Sequence, residues 1–243
     1  MKCSSLSVKG LRPQNEDSCF TRFEIGMPLV AAVADGMGGH AAGDVASKIA
    51  IETLDFCTRE TSDNPQNELS DAFYMANDKV LSEARADRSK RGMGSTMVSA
   101  IFFADHFITA NVGDSRLYLV NNEGIHQVTF DHSYVQELLR AGVITKEKAR
   151  THPNRNFITR CIGSALDFEP DVFYTNWQRG DTVLLCSDGL CGAVEDEELL
   201  SLVLSFDDLD AACRKLIDVA LKRGSTDNIT AVLVRNEDSM RHD

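Results

Sequence analysis

Three aspartates lie far apart in the chain, and each ends or adjoins an apolar run. Asp35 closes "LVAAVA" and is followed by Gly36 in "LVAAVADGMGGHAAGDVAS". Asp188 closes "TVLLCS" ahead of Gly189, and Asp227 sits in "GSTDN" just before "ITAVLV". A strand end on a rigid scaffold holds a side chain in place. One such aspartate alone reads as turn chemistry, because Asp-Gly is a common turn. The same pattern at Asp35 and Asp188 points further, to carboxylates gathered at one site. Gathered carboxylates repel one another and do not all ionise without compensation. Divalent cations supply it, and an oxygen-only donor set favours Mg²⁺ or Mn²⁺ over zinc. The glycines let backbone approach such a centre, and Gly36 could add its carbonyl as a donor.

Two further groups suit the same chemistry. In "GLRPQNEDS", Arg12 is followed by Glu16 and Asp17. An arginine fork matches two phosphate oxygens, and the two carboxylates suit metal-bound waters. Taken alone, this stretch reads equally as a solvated surface turn. In "NVGDSRLYLV", Asp114 has either a metal role or a place in a hairpin turn with an Arg116–Asp pair.

These side chains need a scaffold, and the chain is long enough for one. It has 243 residues, 43% of them apolar, which fits a globular protein with a substantial core. The net charge of −12 argues against nucleic acid and anionic membranes, which call for basic patches. It is compatible with a phosphate-handling site only if bound cations supply the positive field. The seven cysteines are odd in number and include no C-x-x-C. Reduced thiols are therefore expected, not a disulfide framework or a zinc site. "MKCSSLSVKG" has no apolar h-region, and no apolar run spans a bilayer, so a soluble cytoplasmic protein is expected.

"SLSVKG" alternates like a strand and turns at Gly10, while "PLVAAVA" is a continuous apolar run, the mark of a strand buried on both faces. Residues 41–59 put Val45, Ala46, Ile49, Ala50 and Leu54 on one helical face. Residues 67–89 do the same with Leu69, Phe73, Ala76, Val80 and Ala84. "TMVSAIFFA", "HFITANV", "RLYLV" and "IHQVTF" predict a meander of strands separated by turn residues. Ser133 with Gln136 forms a capping box that opens a helix, with Val135, Leu138 and Leu139 inward. "THPNRN" reads as an exposed loop. Strand material returns in "DTVLLCSDGL", a helix is expected over 208–223 with its stop at Gly224, and "ITAVLVR" is the last strand. Segregated helices and strands predict an α+β fold, a β-sandwich of two antiparallel sheets flanked by helix pairs.

"RPQNEDS", "VADGMGGHAAGDVAS", "GMGSTMVSA", "NVGDSRLYLV", "DHSYVQELLRAGVIT", "RNFITRCIG", "LLCSDGL" and "STDNITAVLV" occur in an order and spacing that resemble the protein phosphatase type 2C family. These are the metal-dependent Ser/Thr protein phosphatases, and Met-Gly-Gly-His after Asp-Gly is similar to the bacterial branch. The resemblance runs from about Leu6 to Val234. It implies one catalytic domain over residues 1–243, a four-layer α-β-β-α sandwich with a flap at about 131–165. It implies that Asp35 bridges two Mn²⁺ or Mg²⁺ ions, that Asp188 and Asp227 bind one, and that the Gly36 carbonyl binds the other. Glu16 and Asp17 would hold metal waters, Asn228 would do so or back the metal-binding residues, and Arg12 would grip the substrate phosphate. Asp114 with Asp188 matches the place of a third, weaker ion. The implied reaction is hydrolysis of phosphoserine or phosphothreonine in proteins by metal-activated water, reversing a partner Ser/Thr kinase, in a monomer.

One departure concerns the general acid. Many eukaryotic members carry His after Asp-Gly, where this chain has Met37. His40 is a candidate, with a helix cap or surface role as its alternative, and a metal-bound water is the other candidate acid. A milder one is Asp44, where relatives often carry Glu. Other functions compete with hydrolysis of phosphoproteins. A catalytically silent phosphoprotein-binding or sensor domain would be expected to lose Asp35, Asp188 or Asp227, and all are present. A serine hydrolase could start from "TDN", but S-x-x-K is absent. A small-molecule phosphomonoesterase of the same fold shares every feature named.

Overall fold

Alternate residues of the apolar strands face two different cores, which is why these strands read as unbroken apolar runs. The computed structural model describes residues 1–24, 26–38, 42–60, 62–165 and 168–237. In chain order the elements are β1 (Lys2–Val8), β2 (Asp17–Arg22), β3 (Leu29–Met37), α1 (Gly43–Cys57) and α2 (Pro65–Ala86). There follow β4 (Gly94–Ser95), β5 (Met97–Phe102), β6 (His106–Val112), β7 (Arg116–Asn121), β8 (Gly124–Gln127), α3 (Tyr134–Arg140) and α4 (Lys146–Arg150). The chain continues through β9 (Asp171–Asn176), β10 (Thr182–Cys186), α5 (Asp188–Cys191), α6 (Asp196–Leu204), α7 (Leu209–Lys222) and β11 (Ile229–Arg235).

The strands form two antiparallel sheets, one ordered β1-β11-β10-β7-β8 and the other β2-β3-β5-β6-β9, with β4 paired to β3. Along β3, Ala31 and Val33 enter the core between the sheets, where Val98, Leu117, Val183 and Val232 meet them. Val30, Ala32 and Ala34 point the other way and pack under α1 and α2. On the opposite sheet Leu184, Ile229, Ala231 and Leu233 pack under α6 and α7. Three cores separated by two sheets make the four-layer α-β-β-α sandwich, so the expected α+β architecture is the observed one.

Local signals explain the element ends. The Asn64 side chain accepts from the Asn67 N–H and Pro65 takes the first helical position, so α2 starts two residues earlier than its apolar stripe predicts. Ser133 caps α3 by accepting from the Gln136 N–H, and Gly142, at φ +69°, turns the chain away after it. Gly224 does the same after α7, at φ +86°. Strands β2 and β9 and helices α4 and α6 went unread in the sequence. β2 opens on Asp17, inside a stretch that reads as a polar turn, and α6 announces itself only by Asp196, Glu197 and Glu198 in its first turn. Among the described residues no helix is long and apolar enough to cross a membrane.

Candidate metal centre

The strand β3 does not end at Asp35, as its sequence suggests, but runs two residues beyond it. Pairing explains the extension. Asp35 stands opposite Asp17 in the β2 register, and Gly36 stands opposite Ser95. The Asp35 main chain is fixed further by Thr96, whose N–H donates to the Asp35 carbonyl at 2.8 Å and whose hydroxyl accepts from the Asp35 N–H at 3.0 Å. The Ser95 hydroxyl donates to the same carbonyl at 2.9 Å. At Gly36 a Cβ would lie 2.1 Å from the Gly43 carbonyl oxygen and 2.5 Å from that of Glu16, so only glycine fits between these two backbones.

The other sheet contributes the remaining carboxylates. Asp188 follows β10 and opens α5, and Asp227 immediately precedes the β11 region. The Asp188 and Asp35 carboxyl groups are close enough for each to influence the other's ionisation. Asp17 is buried, and its Oδ2 accepts from the hydroxyls of Ser187 at 2.8 Å and Thr230 at 2.6 Å. Asp114 is buried at the turn between β6 and β7. It does not pair with Arg116, whose guanidinium is committed to Asp131 at 2.7–3.1 Å. That choice leaves Asp114 open toward the other aspartates.

Electrostatics record the crowding. Burial, then the charges of neighbouring aspartates, pushes the Asp35 and Asp114 carboxyls well above the usual range. Burial pushes Asp17 and Asp188 to about 6. Oδ1 of Asp17, Asp114 and Asp188 is buried without a hydrogen-bond partner, as is Oδ1 of Asp44. Buried carboxylate oxygens left without partners are costly. An all-oxygen donor set of this kind fits a hard divalent cation. Among the described residues no three carboxylate, imidazole or thiol side chains close around a single point. Asp227 is turned aside: its Oδ2 accepts from Arg12 Nη2 at 2.7 Å and its Oδ1 from the Asn228 N–H at 2.8 Å. The carboxylates are thus gathered at one end of the sandwich without forming a cage.

Residues 10–233 match the model of the protein phosphatase 2C family. The chain belongs to the protein phosphatase 2C family. As an enzyme of that family it is a protein phosphatase. It is 38% identical over 229 residues to a serine/threonine phosphatase, stp, of Listeria innocua, covering 92% of this chain and 91% of that one. It superposes on the serine/threonine phosphatase PstP of Mycobacterium tuberculosis with a TM-score of 0.90 at 34% identity, covering 98% and 99% of the two chains. A PstP catalytic domain in complex with two manganese ions matches at TM-score 0.88 and 32% identity over 98% of each chain.

Within this phosphatase the remaining candidates divide. Glu16 lies beside the centre, its carboxyl raised chiefly by burial and then by Asp44. Asn228 spends its side chain on backbone: Nδ2 donates to the Lys9 and Gln14 carbonyls at 2.9 Å each, and Oδ1 accepts from the Glu16 N–H at 2.8 Å. It clamps the loop that carries Arg12 and Glu16. Arg12 is half-exposed and paired with Asp227. His40 lies outside the described residues. Sequence reasoning assigned nothing to Ser95, Thr96, Ser187 and Thr230, which hold Asp35 and Asp17. The available signal was their place inside "GMGSTMVSA", "LLCSDGL" and "STDNITAVLV".

Proposed function

We propose that this phosphatase hydrolyses phosphoserine and phosphothreonine in proteins with two Mn²⁺ or Mg²⁺ ions held by Asp35, Asp188, Asp227 and the Gly36 carbonyl. The observation that carries the reading is the set of buried, unpartnered carboxylate oxygens on Asp17, Asp114 and Asp188 where the ends of both sheets meet. The names of the relatives and the two manganese ions of the PstP complex support it. Asp114 and Asp188 would hold a third, weaker ion. When bound, such ions supply Lewis acidity toward water and the phosphoryl oxygens.

The chain's own residues do the positioning. Arg12 offers a guanidinium fork to the substrate phosphate at the rim, beside Asp227. Asn228 fixes the loop bearing Arg12 and Glu16, so that fork and carboxylate keep their distance from β3. Asp17, with one oxygen engaged by Ser187 and Thr230 and the other unpartnered, and Glu16 would orient ordered water. Residues 131–165 would act as a flap on a single catalytic domain, in a cytoplasmic monomer that opposes a Ser/Thr kinase. No observation favours the catalytically silent alternative.

A metal-titrated assay on phosphoserine, phosphothreonine and phosphotyrosine peptides tests the proposal. Turnover of the first two that is abolished by EDTA and restored by Mn²⁺ or Mg²⁺ is expected. Phosphopeptide binding without turnover at any metal concentration would refute it in favour of a binding domain.

A further inference from the structure

The flap is a basic island on an acidic protein. Residues 131–165 hold six Lys and Arg against three Asp and Glu, whereas the whole chain carries −12. Two of the six, Arg150 and Arg160, are spent on ion pairs with Glu195 and Asp171. Two cavities of about 140 and 200 Å³ adjoin Asp188, and four arginines line one or both of them. Arg116 is bound to Asp131, Arg150 to Glu195 at 2.7 Å and Arg223 to Glu198 at 3.0 Å. Arg155 is the fourth. It is exposed, lines both cavities, and pairs with no carboxylate among the described residues. Arg12, which lines neither cavity, is paired with Asp227.

An unpaired guanidinium where two cavities meet beside the reaction centre favours an anion there, since its fork matches a carboxylate or phosphoryl group in two parallel hydrogen bonds. Asp188 is its near acidic neighbour along both cavity walls, yet the two form no ion pair. The acidic surface elsewhere repels a negatively charged peptide, so only the flap side admits one. We propose that Arg155 receives a second negative charge on the substrate, an Asp or Glu side chain or a second phosphoryl group close to the phosphoresidue being hydrolysed. The enzyme would then select acidic phosphopeptides through the flap. This rests on the phosphatase reading above.

The test uses the full chain with Mn²⁺ and three sets of phosphothreonine peptides: neutral flanks, one Glu placed in turn at each flanking position, and one phosphoserine placed likewise. The readout is the ratio of kcat/KM for each charged peptide to that for the neutral one. Wild type should favour at least one charged position by on the order of tenfold, the scale of one charge-assisted hydrogen bond. The ratio should fall to near one in Arg155→Ala, invert in Arg155→Glu, and persist in part in Arg155→Lys. The Glu and phosphoserine arms distinguish the two sources of charge. An Arg155→Ala variant that loses rate equally on every peptide would place Arg155 on the scissile phosphate and overturn the proposal. So would a ratio that follows Lys146→Ala or Lys148→Ala instead, or a wild type indifferent to flanking charge. Wild type that hydrolyses none of the peptides would defeat the phosphatase reading itself, and this inference with it.

Discussion

Replacing Asp188 by Asn should abolish turnover and yet make the metal-free protein more stable. The Asp188 carboxyl is raised from 3.8 to about 6, first by burial and then by Asp227. A carboxyl whose folded pKa exceeds its unfolded value adds stability below the unfolded value and loses it as pH rises through the folded one. Metal-free wild type should therefore weaken as pH climbs from 3.8 past about 6, with Asp17 contributing in the same direction. At 1.36 kcal/mol per pH unit, one such group represents about 3 kcal/mol. Asp188 shares that cost with Asp35 and Asp227, so removing its charge should recover about 1–3 kcal/mol near neutral pH.

Urea unfolding in EDTA at about pH 5 and about pH 7.5, followed through the single buried tryptophan, Trp177, reads this directly. His132 is lowered chiefly by burial and acts in the opposite sense, but it is common to both proteins and cancels in the comparison. A hundredfold excess of Mn²⁺ over its Kd should stabilise wild type by about 2.7 kcal/mol and the variant by much less. An Asp188→Asn protein that is no more stable than wild type in EDTA at the higher pH would refute the account of crowded, uncompensated carboxylates.

Arg12→Ala should raise KM for phosphopeptides about tenfold or more, the scale of a charge-assisted contact, with kcat less affected; steady-state kinetics decide it. Gly36→Ala should cost about 1–3 kcal/mol and most of the activity, because its Cβ would sit against two backbone carbonyls, not a yielding side chain; thermal melts and turnover report both. Asn228→Ala should destabilise by about 1–3 kcal/mol and loosen the Arg12 loop, seen as faster amide exchange over residues 9–16.

The apolar runs of β3, β10 and β11 were legible because alternate residues serve two cores, which leaves no polar face to confuse the pattern. The aspartates near their ends were legible because the apolar-run–Asp–Gly pattern recurs at Asp35 and Asp188. Asp17 was read as a carboxylate suited to metal-bound water. Its central place follows from a β2–β3 register that sets it opposite Asp35, and register across a turn is invisible in a polar stretch. Asn228 was read as holding metal water or backing the metal-binding residues. Its binding of the Lys9 and Gln14 carbonyls depends on contacts more than two hundred residues apart in sequence, which no local spacing reveals. Asp114 was balanced between two roles; it lies in the β6–β7 turn, but Arg116 pairs with Asp131 instead of with it.

Asp17 belongs to one sheet, while its Oδ2 accepts from Thr230 in the other sheet and from Ser187, just past the end of that sheet's β10. The two halves of the sandwich are therefore stitched together beside the candidate metal centre by protein atoms alone. Loss of the cations would leave that seam closed. Ions can then exchange with the medium without the layers parting, and a chelated enzyme should regain activity as fast as manganese diffuses in, with no refolding phase.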